Sequence, residues 1–405
     1  MIDIVTRLRS YFAEFGSIFF ILWSVFFLAT FAISMCDPAL PYLVQYFVVE
    51  ESAFAVVIGY LNSILNLSRT ATNFLAGFLV DKIGKREVIL TSVCLSPISF
   101  IFYFFSNNCY WLFAAALISG ISSGLSSPSF TALIADVSPE TSRAKAFAVF
   151  NLSWMLSGIP APIIGGYLSS TFNIRLPFIF AFTLSVIIIL LLLKTFGNIK
   201  EGWSTKLNCA YSSRDDLKHH GTNAKVLVLF CIISLLLGFG DGMLMPITTA
   251  FLMFRLGTSA IGMGITFSVA FGIAMALSQI PGAKITEMLG KKRIILVSIL
   301  IATPLLMLLP FTTSLIQFVA IFGLINFISY LWSPALSAWV ANSIETSRRG
   351  KAYGFTSAAY GLGSIAGPAL GGIIWAFFQP NTLLPFVMAT IPFFVIIPTI
   401  AMLKE

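Results

Sequence analysis

Three ionisable side chains fall within long apolar stretches of the chain: Asp37, Arg69 and Asp241. A charge at the centre of a membrane helix costs about 2.5–3.5 kcal/mol on insertion scales, so each is a candidate for binding, proton transfer or pairing. Arg69 lies 12 residues before the polar Asp81, about 18 Å of helix, which is too deep for its guanidinium to snorkel out. Asn62, Asn66 and Asn73 flank it at intervals of 4, 3 and 4 residues, which places all four on one helix face. Such a stripe suits a water-filled path or an anionic substrate group, or else a structural ion pair or a guanidinium on helix carbonyls. Asp241 sits in Gly238-Phe-Gly240-Asp241-Gly242, where the glycines let a helix flex. Asp37 precedes Pro38 and Pro41. Either carboxyl could take up or release a proton as its surroundings change, and a direct Asp37–Arg69 pair is open. Trp154, Tyr360, Asn326 and Tyr330 are candidate cavity walls, each also readable as ordinary packing.

The elements that position these residues are membrane helices. The chain has 405 residues, 58% hydrophobic and only 10% charged, with a mean hydropathy of +0.94. Soluble domains carry about 25% charged residues, so a soluble, disordered or nucleic-acid-binding protein is excluded despite the net charge of +8. Apolar runs of membrane length lie near 16–46, 53–80, 88–106, 110–135, 145–170 and 175–196, then 225–254, 259–286, 294–312, 316–342, 350–378 and 382–402. The ten-residue alternation of a membrane β-barrel is missing. With the N-terminus inside, 21 of the 24 basic residues fall on the cytoplasmic side, leaving Arg175 and Arg255 in external loops and Arg69 in a helix. The expectation is a multi-pass cell (plasma) membrane protein with both termini cytoplasmic. Its first apolar run lacks a signal-peptide cleavage site.

Cys36, Cys94, Cys109, Cys209 and Cys231 are scattered without ligand spacing, and His219-His220 reads as a solvated linker pair. No metal and no cofactor is expected. With no nucleophile–base pair and no phosphate loop, neither an enzyme nor an ATP-driven machine is indicated.

The two halves repeat each other. Ser127-Pro128 recurs as Ser333-Pro334, Lys145-Ala146 as Lys351-Ala352, Gly84-Lys85 as Gly290-Lys291, Pro162 as Pro368 and Gly165-Gly166 as Gly371-Gly372, all at an offset of 206. Glu140-Thr141-Ser142-Arg143 recurs as Glu345-Thr346-Ser347-Arg348 one residue short of that register, and Trp154 falls opposite Tyr360. The chain therefore reads as a six-helix bundle over 1–197, a cytoplasmic linker over 198–224 and a second six-helix bundle over 225–405. In parallel repeats of this kind, substrate sites lie near the midplane between the halves.

Between the second and third helices stands Gly77-Phe-Leu-Val-Asp81-Lys82-Ile-Gly84-Lys85-Arg86, with a weaker copy, Gly282, Glu287, Gly290, Lys291, Lys292 and Arg293, in the second half. This loop resembles the signature of the major facilitator superfamily, and the resemblance spans the whole chain. It implies an all-α integral membrane protein, twelve transmembrane helices arranged as two pseudo-symmetric six-helix bundles. It also implies that Asp81 and Arg86 join a charge cluster with Asp136, Glu140 and Arg143 at the end of the fourth helix, mirrored by Glu287, Glu345 and Arg348. Gly158-Ile-Pro160-Ala161-Pro162-Ile-Ile-Gly165-Gly166 and Gly363-Ser-Ile-Ala-Gly367-Pro368-Ala-Leu-Gly371-Gly372 resemble the helix-bending element of drug:proton antiporters, with Ala161 in place of one Gly; tight helix packing is the alternative. The arginine that many such antiporters carry on the fourth helix, four residues before a Gly, is replaced by Ala116 before Gly120.

These features point to a secondary transporter working by alternating access. The expected cargo is a small drug-like or amphipathic organic compound, exported under a proton gradient, with protons and membrane lipids as the other partners and a monomer as the unit. Uptake or uniport of an organic anion through Arg69 is the alternative within transport. A transporter-like sensor or a channel is the alternative outside it.

Overall fold

The computed structural model describes residues 17–138, 143–198, 224–343 and 349–402. Helices account for nearly all of them, in the order the apolar runs demand. The first span is broken at Asp37-Pro38 into Ser17–Cys36 and Ala39–Phe47; Glu51–Ile83, Lys85–Phe104 and Cys109–Val137 follow. The fifth span is broken into Arg143–Ser157 and Pro160–Thr171, and Leu176–Asn198 completes the first half. The second half begins with Ala224–Ala250, extended by a π-helical turn at Phe251–Arg255. The eighth span joins Ala260–Ile265, a π-helical Thr266–Ile273 and Ala274–Leu289, and Lys291–Leu306 is the ninth. The last three are Leu315–Leu331 with Ser333–Ser343, Arg349–Phe378 and Leu383–Ala401.

Among the described residues eleven helices are long and apolar enough to cross a bilayer. The twelfth, Glu51–Ile83, has 33 residues, about 50 Å of helix. It falls outside the eleven because it carries Arg69, three Asn and several hydroxyls, polarity that lipid alone would not accommodate.

The repeat is visible in the backbone. Gly84 and Gly290 both take positive φ, 93° and 85°, each ending one helix and starting the next. Only Gly adopts that region without steric cost. Asn108 and Ser314, also 206 residues apart, both cap helix N-termini with a side-chain oxygen.

How the halves meet follows from where the apolar clusters lie. At the end opposite the Gly77–Arg86 loop, one cluster joins Met35, Leu43, Phe54 and Ile58 of the first half to Phe251, Phe318 and Phe386 of the second. At the loop end each half keeps its own cluster, Phe19, Leu22, Phe130 and Phe196 in one and Phe230, Ile295, Trp339 and Ile400 in the other. The halves are fused at one end and separate at the other.

Close backbone contact makes the fusion, because apolar burial gives helices in lipid little drive to associate. The second span packs on the eleventh and the fifth on the eighth. The two repeat-related Gly-Gly pairs divide this work. A Cβ on Gly165 would strike Met35 and one on Gly371 would strike Met243, each in the same half. A Cβ on Gly166 would strike Ala260 and one on Gly372 would strike Ala55, each in the other half. The first Gly of each pair builds its bundle and the second joins the bundles.

The expected bend at Pro368 takes a different form, since the eleventh span is one unbroken helix. Pro368 has no N–H to donate to the carbonyl of Ser364; Asn66 of the first half donates to that carbonyl instead, at 3.0 Å. One residue on, the Ala369 N–H donates to Ser63 Oγ, also at 3.0 Å. Replacing Asn66 with Leu would strand the Ser364 carbonyl at a cost of about 1–3 kcal/mol, a shift of about 5- to 150-fold against this closure. Spin labels at the exposed Val49 and Ile316 should report a second, longer distance in that variant; an unchanged distribution would deny Asn66 this role.

Candidate functional site: a cavity between the halves

The separated end encloses a cavity of about 1540 Å³. Its first-half walls come from the first, second, third, fourth, fifth and sixth spans, and its second-half walls almost wholly from the eleventh. Aromatic rings of Phe26, Phe74, Phe130, Trp154, Tyr353 and Tyr360 supply the apolar surface. Arg69 is the one charged residue on the described lining.

The polar stripe of the second span divides as the halves diverge. Asn62 donates to its own helix at the Ile58 carbonyl, 2.9 Å, and Asn66 crosses to the eleventh span. Thr70 packs against Gly361 and forms the roof. Arg69 and Asn73 face the cavity. Arg69 is held by its backbone, since a Cβ on Gly124 of the fourth span would meet its carbonyl and Cα. Gly120, one turn earlier, admits Ser68 and the Leu65 carbonyl in the same way.

Across the cavity, the Tyr360 hydroxyl donates to Asp241 Oδ2 at 3.2 Å. Tyr360 also lies within electrostatic range of Arg69 and of Tyr330. Asp241 stands behind Tyr360 rather than on the lining. Trp154 and Tyr360, the repeat mates, both line the cavity, one from each half.

Three other candidates, Asn326, Tyr330 and Asp37, are not among the lining residues. Asn326 is buried and returns its amide to the Phe322 carbonyl at 2.8 Å, so it packs a helix and does not line the cavity. Asp37 occupies the break in the first span, within electrostatic range of Tyr103. No Asp37–Arg69 ion pair forms: Asp37 sits in the break of the first span and is not on the lining, while Arg69 lines the cavity.

At the loop, the charge contacts differ from those the motif implied. Lys85 pairs with Asp136, while Arg86 lies over the Phe196 ring, 5.5 Å from its centroid, and 4.0 Å from Glu87. Asp81, Lys82 and Glu287 are exposed and make no ion pair among the described residues. The halves are apart here: added Cβ atoms on Gly77 and Gly354 would meet nothing within 4 Å. Gly282, by contrast, packs against Leu331 of its own half, and Lys291 faces a sequence with Asn342 where the first half has Asp136. Glu140, Glu345 and Arg348 lie outside the described residues, as does the Arg143 side chain.

Two groups of residues escaped the sequence reading. Ser119, Ser122, Ser123, Ser126 and Ser127 all line the cavity; their i, i+3, i+4, i+7, i+8 spacing is a one-face helical pattern in plain view. The fused end is tied by polar contacts between the halves. Arg255 Nη2 lies 3.5 Å from Glu51 Oε1, Tyr42 donates to the Thr258 carbonyl, Ser268 donates to the Ile159 carbonyl at 2.5 Å and the Ile261 N–H donates to Ser170 Oγ at 3.0 Å. No spacing signal links positions so far apart in sequence.

The family model described as Major Facilitator Superfamily matches residues 22–206 and 230–404. Multidrug resistance protein 2 of Bacillus subtilis is 24% identical over 378 residues, 92% of each chain. Quinolone resistance protein NorA of Staphylococcus aureus is 26% identical over 364 residues, 88% of this chain and 89% of its own. The crystal structure of the human organic anion transporter MFSD10 (TETRAN) superposes with a TM-score of 0.67 at 18% identity, over 95% of this chain and 98% of that one. With two halves matching the family model in turn and a helical fold shared end to end, the chain belongs to the Major Facilitator Superfamily and is a multi-pass membrane transporter.

Proposed function

We propose that this transporter exports small amphipathic or drug-like organic compounds in exchange for protons, by alternating access. One observation carries this reading: the cavity is open at the loop end and sealed at the other, with Tyr360 on its wall hydrogen-bonded to the carboxylate of Asp241. The positive-inside pattern makes the loop end and both termini cytoplasmic, so this is the cytoplasm-facing state. The rigid bodies are 1–197 and 225–405, joined by the linker 198–224. Gly77 and Gly354, which have open space here, approach each other when the cavity reverses, bringing Asp81 and Arg86 into the cluster the motif implies. Asp241 carries the proton, with Tyr360 and Tyr330 beside it. The names of the two bacterial relatives, one for multidrug and one for quinolone resistance, support drug-like compounds as cargo. The unit is a monomer in lipid.

Proteoliposomes with an internal pH-sensitive dye test the coupling. A cationic fluorescent amphiphile such as ethidium should move against its gradient when a pH gradient is imposed, and should itself move protons. Flux that ignores the pH gradient would replace this reading with uniport. The unpaired Arg69 favours that second reading for an organic anion.

A further inference from the structure

Resting on the reading of this cavity as the substrate's, we propose that Arg69 anchors a single carboxylate on an aromatic substrate. The guanidinium lies exposed to the cavity and makes no ion pair or side-chain hydrogen bond among the described residues. A structural arginine at this depth would have a carboxylate or helix carbonyls within reach. The carboxylates of Asp37 and Asp241 are both held elsewhere, one in the break of the first span and one behind Tyr360. The guanidinium is instead presented by a backbone clamped against Gly120 and Gly124, an arrangement that fixes a donor towards a space.

The rest of the lining sets the class. With no second basic side chain among the described lining residues, the site balances one negative charge and not the two of a phosphate ester. Several wall hydroxyls already donate to helix carbonyls: Ser92 to Ile89, Ser122 to Ser92, Ser123 to Gly120 and Ser126 to Ser123. Their donors are committed, which leaves Arg69 as the charged donor for an oxyanion, beside the neutral donors of Asn73, Ser119, Ser127 and Trp154. A planar carboxylate accepts from a guanidinium through two parallel hydrogen bonds. Trp154, 48% exposed, and Tyr360, 38% exposed, line the cavity from the two halves and supply aromatic surface for a substrate ring.

Equilibrium binding to the purified full chain in detergent micelles tests this with three probes of one shape, 1-naphthoate, 1-naphthamide and 1-naphthylmethylammonium. Naphthoate should bind at least about 10-fold more tightly than the amide; Arg69→Gln should erase that preference and Arg69→Lys should restore part of it. The wild-type comparison of acid with amide needs no variant, so a misfolded Arg69→Gln leaves the test intact. Equal affinity for acid and amide, or naphthoate binding unchanged in Arg69→Gln, would overturn the anchor. Ethidium transport with no binding of naphthoate would overturn it while the export reading stands. Arg69-dependent naphthoate binding without proton-coupled flux would uphold the anchor and remove the export reading.

Discussion

Asp241→Asn should reduce pH-gradient-driven transport to the level of protein-free liposomes while leaving substrate exchange without a gradient largely intact. Asn keeps the shape of the side chain and an oxygen that can accept from the Tyr360 hydroxyl, so the local packing and the 3.2 Å hydrogen bond survive. What it loses is the ability to take up and release a proton. A coupled transporter needs a group whose protonation differs between the two orientations of its cavity, because a ligand shifts a conformational equilibrium only through differential binding. We propose Asp241 for that role, one hydrogen bond from a tyrosine that lines the cavity. Tyr360→Phe keeps the carboxyl and removes the donor; with a hydrogen bond worth about 0.5–1.5 kcal/mol, coupled transport should fall about 2- to 12-fold. The split between driven flux and exchange is the decisive readout. Asp241→Asn that still accumulates substrate against its gradient would place the proton elsewhere, with Asp37 the next carboxyl to test.

Two adjacent glycines should give opposite phenotypes when each becomes Leu. Gly371 faces Met243 within the second half, and its Cβ would overlap the carbonyl, Cα and carbonyl carbon of that residue. Overpacking already costs about 1–3 kcal/mol where side chains can yield, and backbone yields less. Gly371→Leu should therefore lower the melting temperature of the purified protein and its yield. Gly372 faces Ala55 across the seam, so a side chain there clashes only while the fused end is closed. Gly372→Leu should fold, lengthen the distance between labels at Val49 and Ile316, and abolish transport by holding the molecule open at that end. Equal loss of stability in both variants, with the Val49–Ile316 distance unchanged, would mean that Gly372 is not specific to the seam.

Much of this is legible in the sequence. The run of apolar segments, the basic loops and the shared register fix twelve helices in two related halves, because burial in lipid constrains every residue of a span. The Gly84 and Gly290 turns follow from residue type, since positive φ at two equivalent positions selects Gly. The site was partly legible. Arg69, Asn73, Trp154 and Tyr360 reach the cavity, as charge and repeat position suggested. Asn326 does not, because a polar residue in a helix can satisfy itself one turn back, as it does on Phe322. The serine stripe on the fourth span has a clear helical period, but a hydroxyl can satisfy itself on its own helix, so its period alone does not mark a cavity wall.

The sequence by itself determined the class of molecule, the number and order of its spans, its repeat and the charge left inside the membrane. These depend on local composition and periodicity. Only the tertiary structure decided which end is closed, that Asn66 completes a carbonyl freed by Pro368, and that neighbouring glycines in each pair serve different interfaces. It also decided that Arg69 looks into the cavity while Asn66, one turn away, does not. The physical reason is angular: Asn66 and Thr70 face the eleventh span, while Arg69, about 100° round the helix from Thr70, rests its backbone on Gly124 of the fourth span and lines the cavity.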